Sequence, residues 1–407
     1  MAGFPCLASS MPTLALTVVL ALLTMVGPLG IDAYLPSFHA IGASLQASPL
    51  AVQQTLSFYM AGMSVMMLFY GTLSDSLGRR PVMLVSLLLF TLTSALAALA
   101  TSIEMLIAVR VLQGLCGGAG MVIARAMVQD RFRGSEAQRM MAMITMVFGV
   151  APALAPVIGG WLQAALGWRS VFWFLALFGA ALWAVSRKVL GETLPAEQRT
   201  PFRLRPIAAN YLRAARSRRF MLMAGGVAMV FSGLPLYVGS ASAYVMTILG
   251  KPETAFGWLF IPMVGGMMLG SAVASRLAHR VPAERMIRVG FCVMGAGVLI
   301  SACYTSLFAV RVPYAVLPFM LYTFGLSLAS PGMTVIVLSV FPQMRGLAAS
   351  MQGFIQMMLF ALISGLLAPL VFGTAQGLAW THLAGLAIGM ALWKTGEKSP
   401  PPIPRRG

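Results

Sequence analysis

The chain has 407 residues, of which 59% are apolar and 9% are charged, with 28 basic residues against 10 acidic ones. So few charges cannot cover a water-soluble domain, in which about 25% of residues are charged. A mean hydropathy of +0.87 points to the bilayer. The formal charge of +18 would suggest nucleic acid in a soluble protein, but here it sits in short connections between apolar runs.

At about 20 apolar residues per spanning helix, the runs at 12 to 36, 50 to 70, 82 to 100, 104 to 124, 140 to 162, 170 to 186, 220 to 246, 254 to 275, 286 to 307, 313 to 339, 346 to 371 and 375 to 393 predict twelve membrane-spanning helices. The first is too long in its apolar core for a cleavable signal peptide, lacks a basic flank and carries Asp32, so it is expected to stay in the mature protein. Cys6, Cys116, Cys292 and Cys303 show no metal-ligand spacing, and His39, His279 and His382 fall in separate segments. No metal, cofactor or catalytic cluster is expected, and the chain does not read as an enzyme.

With the N-terminus placed in the cytoplasm, both termini and the connections at 71 to 81, 125 to 139, 187 to 219, 276 to 285 (with Arg288 just beyond) and 340 to 345 lie inside and hold 24 of the 28 basic residues. Arg169, Lys251 and Arg311 fall outside, and Arg110 lies within a span. That asymmetry satisfies the positive-inside rule, so the basic residues set topology and no nucleic acid is expected as partner.

The stretch 187–219 carries nine Lys or Arg with Glu192, Glu197 and three prolines, which suits a cytoplasmic linker with one amphipathic helix against the headgroups. It divides the chain into six-span bundles at 1–186 and 220–393. The tail 394–407, with Pro400, Pro401, Pro402 and Pro404, reads as disordered. Tandem halves joined by a basic loop point to a duplicated transporter with its substrate site between the halves near the midplane.

Between the second and third spans runs Gly71-Thr72-Leu73-Ser74-Asp75-Ser76-Leu77-Gly78-Arg79-Arg80. Gly71 permits close helix approach, Gly78 permits positive φ, and Asp75 can accept from a helix end or from arginines. Such a charged cluster can latch the cytoplasmic side shut in one of two alternating states. The string resembles the GxLxDrxGRR signature of the major facilitator superfamily. The corresponding loop of the second half keeps only Gly270, Arg276 and Arg280, without an acid, so any latch there must differ.

In the fourth span, Arg110, Gln113, Gly114 and Gly117 share one helical face and resemble that superfamily's RxxQG pattern. A guanidinium in hydrocarbon costs about 2.5–3.5 kcal/mol and should face a cavity or a partner. The first span contains Gly30-Ile31-Asp32-Ala33-Tyr34-Leu35-Pro36. Asp32 lies about four residues from the expected outer end, at a depth like that of Arg110, so the two can meet. Desolvation favours the protonated acid and a nearby guanidinium the carboxylate, which gives proton coupling a physical basis if exposure alternates.

GIDAYLP closely resembles the DxYLP signature of the Bcr/CflA group of drug transporters. Gly149, Pro152, Ala155, Pro156, Gly159 and Gly160 resemble the helix-five antiporter motif, with Ala155 where glycine is usual. Arg125, Ala126 and Asp130 resemble the group's RAxxxD stretch, implying an ion pair with neighbouring arginines. Tyr237, Ser240, Ser242 and Tyr244 resemble its tyrosine- and serine-rich segment, with Ala243 replacing proline.

The resemblance implies an all-α integral membrane protein of two six-helix bundles in a bacterial inner membrane, both termini cytoplasmic, acting as a monomer. Its implied partners are a small-molecule substrate, protons and the lipid bilayer, with export of amphipathic drugs or metabolites in exchange for protons. The alternative in the same architecture is a proton symporter or facilitator importing a nutrient. Asp32 and Arg110 are assigned to proton coupling, and Tyr34, Gln113, Tyr237 and Tyr244 to the substrate cavity. Gly71, Asp75, Gly78, Arg79, Arg80, Arg125 and Asp130 are assigned to the latch, and Pro152, Pro156, Gly159 and Gly160 to the pivot of helix five.

Overall fold

The computed structural model describes residues 13–278 and 280–400; Cys6, His279 and residues 401–407 of the expected tail lie outside the described residues. Every regular element among the described residues is helical. Among the described residues, nine helices are long and apolar enough to cross a membrane, and two bent pairs raise the number to eleven. In chain order they are α1 (Ala15–Ser44), α2 (Pro49–Met67, continuing as Tyr70–Leu77 after a 50° bend), α3 (Arg79–Ala98), α4 (Ile103–Arg131), α5 (Glu136–Leu166), α6 (Trp168–Val189), α7 (Arg218–Val230, continuing as Gly233–Gly239 after a 43° bend), α8 (Glu253–Leu277), α9 (Ala283–Leu307), α10 (Leu317–Ser339) and α11 (Arg345–Val371).

The twelfth expected span is the helix α12 (Ala375–Lys398), which carries Gln376, Thr381, His382, Lys394, Glu397 and Lys398 and falls short of the apolarity of the others. It also takes up the first residues of the expected tail, so 394–398 is helical rather than disordered. Within the linker, Leu204–Arg216 forms one helix.

The first span runs farther than its sequence suggests. Pro36 was expected to end it, yet Leu35–Ser37 makes a 3-10 turn and the helix resumes over Phe38–Ser44. A proline at the start of a new helical turn gives up only an N–H that has no partner there anyway. Asp32 therefore stands twelve residues before the end of α1, about 18 Å at 1.5 Å per residue, and lies near the middle of the span rather than at its rim.

The two halves repeat one packing scheme. In the first, α2 packs on α4, α3 on α4 and α6, and α1 on α5 and α6; in the second, α8 packs on α10, α9 on α10 and α12, and α7 on α11 and α12. The halves meet where α2 lies on α11 and α5 on α8. Adding six to each helix of the first half exchanges these two contacts, so the interface is pseudo-two-fold.

Every hydrogen bond between the halves among the described residues lies at one end, opposite the arginine-rich loops. Gln53 Nε2 donates to the carbonyl and hydroxyl oxygens of Ser364, both at 2.9 Å, and Gln54 Nε2 donates to Gly365 O at 2.9 Å. His39 Nδ1 lies 3.2 Å from Ser242 Oγ. The accepting carbonyls belong to a π-helical turn of α11, Ile363–Leu367. Such a turn interrupts the regular i→i−4 ladder and is often found at functional sites.

Neutral hydrogen bonds contribute about 1 kcal/mol each. Gln53→Leu with Gln54→Leu is therefore expected to weaken the seam by roughly 2–3 kcal/mol and to lengthen spin-label distances between the far ends of α2 and α11. An unchanged distance distribution would show that apolar packing alone holds it.

Candidate functional site

α1, α2, α3 and α4 converge on Arg110, whose side chain has no exposed surface. Its Nη2 donates to Gly30 O at 2.8 Å, its Nε to Thr55 O at 3.4 Å and its Nη1 to Gln113 Oε1 at 2.5 Å. The guanidinium lies between the rings of Tyr34 and Tyr59, 4.2 and 4.1 Å from their centroids. Those rings are held in turn: Tyr59 Oη donates to Gly27 O at 3.1 Å, and Tyr34 Oη lies 3.1 Å from Thr55 Oγ1. Gln113 Nε2 extends the chain of contacts to α3 by donating to Ser94 Oγ at 2.7 Å. The buried charge is thus balanced by carbonyl dipoles, an amide and two π faces.

Asp32 and Arg110 do not meet as expected. None of the three ion pairs among the described residues includes Asp32, although its side chain is only 5% exposed. Arg110 reaches the same segment of α1 through the carbonyl of Gly30, two residues away. The physical reason is that its bonds run to Gly30, Thr55 and Gln113 while its faces are taken by the two tyrosines.

The expected cavity residues also sit differently. Tyr34 and Gln113 are buried in the first half as walls of the Arg110 cage. Tyr237 and Tyr244 touch, with ring centroids 5.6 Å apart, but both are buried in the second half. Tyr237 stacks on Phe319 at 4.0 Å, and Tyr244 Oη donates to Ala315 O at 3.1 Å. None of the four faces an open cavity in this conformation.

In α5, Gly159 and Gly160 face different partners. A Cβ at Gly159 would overlap the carbonyl of Ala33, next to Asp32, and one at Gly160 would overlap the backbone of Glu253 in the second half. Pro152 and Pro156 lie within one continuous helix. These glycines bring the acid-bearing segment of α1 and the start of α8 against one short stretch of α5.

A second cluster forms at the arginine-rich end. Arg79 Nη1 pairs with Asp75 Oδ1 at 2.5 Å, and its Nε donates to Asp130 Oδ2 at 3.0 Å. Glu192 of the linker accepts the backbone N–H of Arg79 at 3.0 Å and of Arg80 at 3.3 Å, which caps the start of α3 with a carboxylate. Arg80 Nη2 donates to Arg187 O at 2.8 Å, and Thr193 Oγ1 donates to Asp130 Oδ2 at 3.0 Å.

The latch residues thus come together, with two departures. Arg125 is exposed and joins none of the ion pairs among the described residues, and a Cβ on Gly71 would meet no atom within 4 Å, so Gly71 permits no close approach. The described hydrogen bonds and ion pairs of the cluster run within the first half and to the linker, and none reaches 220–393.

Sequence reasoning missed Thr55, Tyr59, Gln53, Gln54 and Glu192. Adjacent glutamines in an apolar run are an unusual pair, and their burial without partners would be costly; that signal was present. Glu192 is indistinguishable from any other linker acid until the chain folds.

Two repeated helical bundles of apolar spans, the first with Asp32 and Arg110 buried inside it, have the architecture of a multi-pass membrane transporter. The Major Facilitator Superfamily model matches residues 20–369, and the chain belongs to that superfamily. It is 30% identical to the bicyclomycin resistance protein homolog of Haemophilus influenzae over 384 residues, 93% of this chain and 95% of that one. It is also 30% identical over 335 residues to the multidrug transporter MdfA of Yersinia pestis, covering 81% of each chain. The solved human organic anion transporter MFSD10 shares the fold, with a TM-score of 0.70 at 20% identity over 94% of this chain and 100% of that one.

A lysine at position 110 keeps the charge but loses the planar fork and the stacking. Arg110→Lys is expected to destabilise the first half by about 2 kcal/mol or more, read as a lower apparent Tm in detergent; an unchanged Tm would refute the cage. Gly78 lies at φ +100°, and a Cβ there would meet the Glu192 carboxylate. Gly78→Ala is expected to cost about 1–3 kcal/mol and to speed tryptic cleavage of the linker, whereas Gly71→Ala, with open space around it, should do neither. Equal cleavage rates in the two variants would sink this reading.

Proposed function

We propose that this chain is a proton-coupled antiporter that exports amphipathic drugs or small metabolites, of the bicyclomycin and chloramphenicol kind, from a bacterial cytoplasm by alternating access. The observation that carries the reading is Asp32: a buried acid near the middle of α1, without an ion-pair partner among the described residues. An intramembrane carboxyl without a countercharge is costly when ionised and points to a role in moving protons or substrate. The two bacterial relatives are named for bicyclomycin resistance and multidrug transport, which supports drugs as cargo.

In this reading the bundles 1–186 and 220–393 move as units about the linker 187–219, and both chain ends face the cytoplasm. The hydrogen-bonded end, at Gln53, Gln54 and His39, is the outer side, so the conformation is closed outward. Asp32 carries the proton. Arg110 positions the Asp32 segment through Gly30 rather than by direct pairing. The Asp75–Arg79–Asp130 cluster stiffens the inner end of the first half. Moving one charge across 100 mV yields about 2.3 kcal/mol, and a pH gradient adds to it, so one proton can sustain appreciable accumulation of drug outside.

In energised everted vesicles, adding bicyclomycin or chloramphenicol is expected to release protons. Asp32→Asn should abolish gradient-driven export while substrate counterflow survives. Undiminished active efflux in Asp32→Asn would overturn the assignment, and drug transport without proton movement would overturn exchange.

A further inference from the structure

The linker helix Leu204–Arg216, at 13 residues too short to cross a membrane, packs against the bundles. Tyr211 Oη donates at 2.7 Å to Leu68 O, at the bend of α2, and Ser350 of α11 lies beside the same hydroxyl. The helix also packs on the start of α11. It therefore touches both halves where α2 and α11 approach their arginine-rich ends.

At 3.6 residues per turn its residues fall into three stripes. Ile207, Asn210, Tyr211 and Ala214 turn to the protein and are wholly or partly buried. Leu204, Ala208, Leu212 and Ala215 form an exposed apolar stripe, with Leu204 at 62% and Leu212 at 50% exposure. Arg205, Arg213 and Arg216 form the next stripe, also exposed, and none of them belongs to an ion pair among the described residues.

We propose that this face is a docking surface for the anionic phospholipids of the leaflet at that end. The arginines would meet headgroup phosphates, and the leucines, with Phe202 just before the helix, would enter the acyl boundary. An exposed apolar stripe flanking an arginine stripe is the arrangement of helices that lie in the interface. A soluble polyanion would answer the charge but leave Leu204 and Leu212 in water. Because the helix touches α2 and α11 together, lipid held there bears on both halves at once. The inference stands independently of the proton-coupled reading.

The test uses the full chain with its cysteines replaced and Ala208→Cys carrying a fluorophore, reconstituted in phosphatidylcholine vesicles. Brominated phosphatidylglycerol is expected to quench the probe more strongly than brominated phosphatidylcholine at equal mole fraction. Each arginine contributes about five-fold to local enrichment of anionic lipid, so Arg213→Gln should reduce the preference and Arg205→Gln/Arg213→Gln/Arg216→Gln should remove it. Raising the salt to about 1 M, where screening acts within about 3 Å, should remove it in the unsubstituted linker, which covers any misfolding of the triple variant. Inorganic phosphate should do no more than sodium chloride of equal ionic strength. Equal quenching by the two lipids, quenching by neither, or a salt-insensitive preference would overturn the proposal.

Discussion

A guanidinium without exposed surface, inside a bundle built to sit in hydrocarbon, is the constraint around which the first half is organised. Arg110 cannot lose its charge, and burial of an unbalanced charge is among the most expensive arrangements a fold can contain. The first half meets that cost with carbonyls of α1 and α2, an amide of α4 and the faces of Tyr34 and Tyr59. Each of these holds something else in place: Tyr59 grips Gly27, Tyr34 touches Thr55, and Gln113 reaches Ser94 on α3. Arg110 ties α1, α2 and α4 together directly and α3 through Gln113, and the position of Asp32 on α1 follows from theirs.

The two ends of the molecule use different chemistry. At the far end, neutral amides and hydroxyls join the halves, which suits a seam that opens and closes in the proposed cycle, since neutral hydrogen bonds exchange for bonds to water at little net cost. At the other end, ionised groups join the first half to the linker and to itself. The charged motif therefore fixes the angle between the end of α2 and the start of α3, with Glu192 completing it from 113 residues beyond Arg79 in sequence.

Much of this was legible in the sequence because it rests on composition and local pattern. Apolar runs and the distribution of arginines give the helices and their grouping, and the rarity of charge in such runs singles out Asp32 and Arg110. What could not be read were distances between helices. The depth of Asp32 was misjudged because Pro36 looks like a terminator, yet the chain makes a single 3-10 turn and continues. Tyr34 was assigned to the cavity on the family resemblance, but its ring is packed among Arg110, Phe38 and Phe172. Glu192 became visible only once folding brought it to the start of α3.

The separation of Asp32 from Arg110 changes what a proton would have to do. Had the two formed an ion pair, protonation would break it and leave an unpaired buried cation. As built, Arg110 is satisfied whatever the state of Asp32, because its partners are Gly30, Thr55, Gln113 and two rings. A proton then alters only the cost of keeping Asp32 away from water, about 2.5–3.5 kcal/mol for a charge at the centre of a span. The far-end seam holds three amide-donated hydrogen bonds, together worth about 3 kcal/mol. The two energies are of the same size, so in the proposed cycle a single protonation step on α1 would be commensurate with closing or releasing the seam.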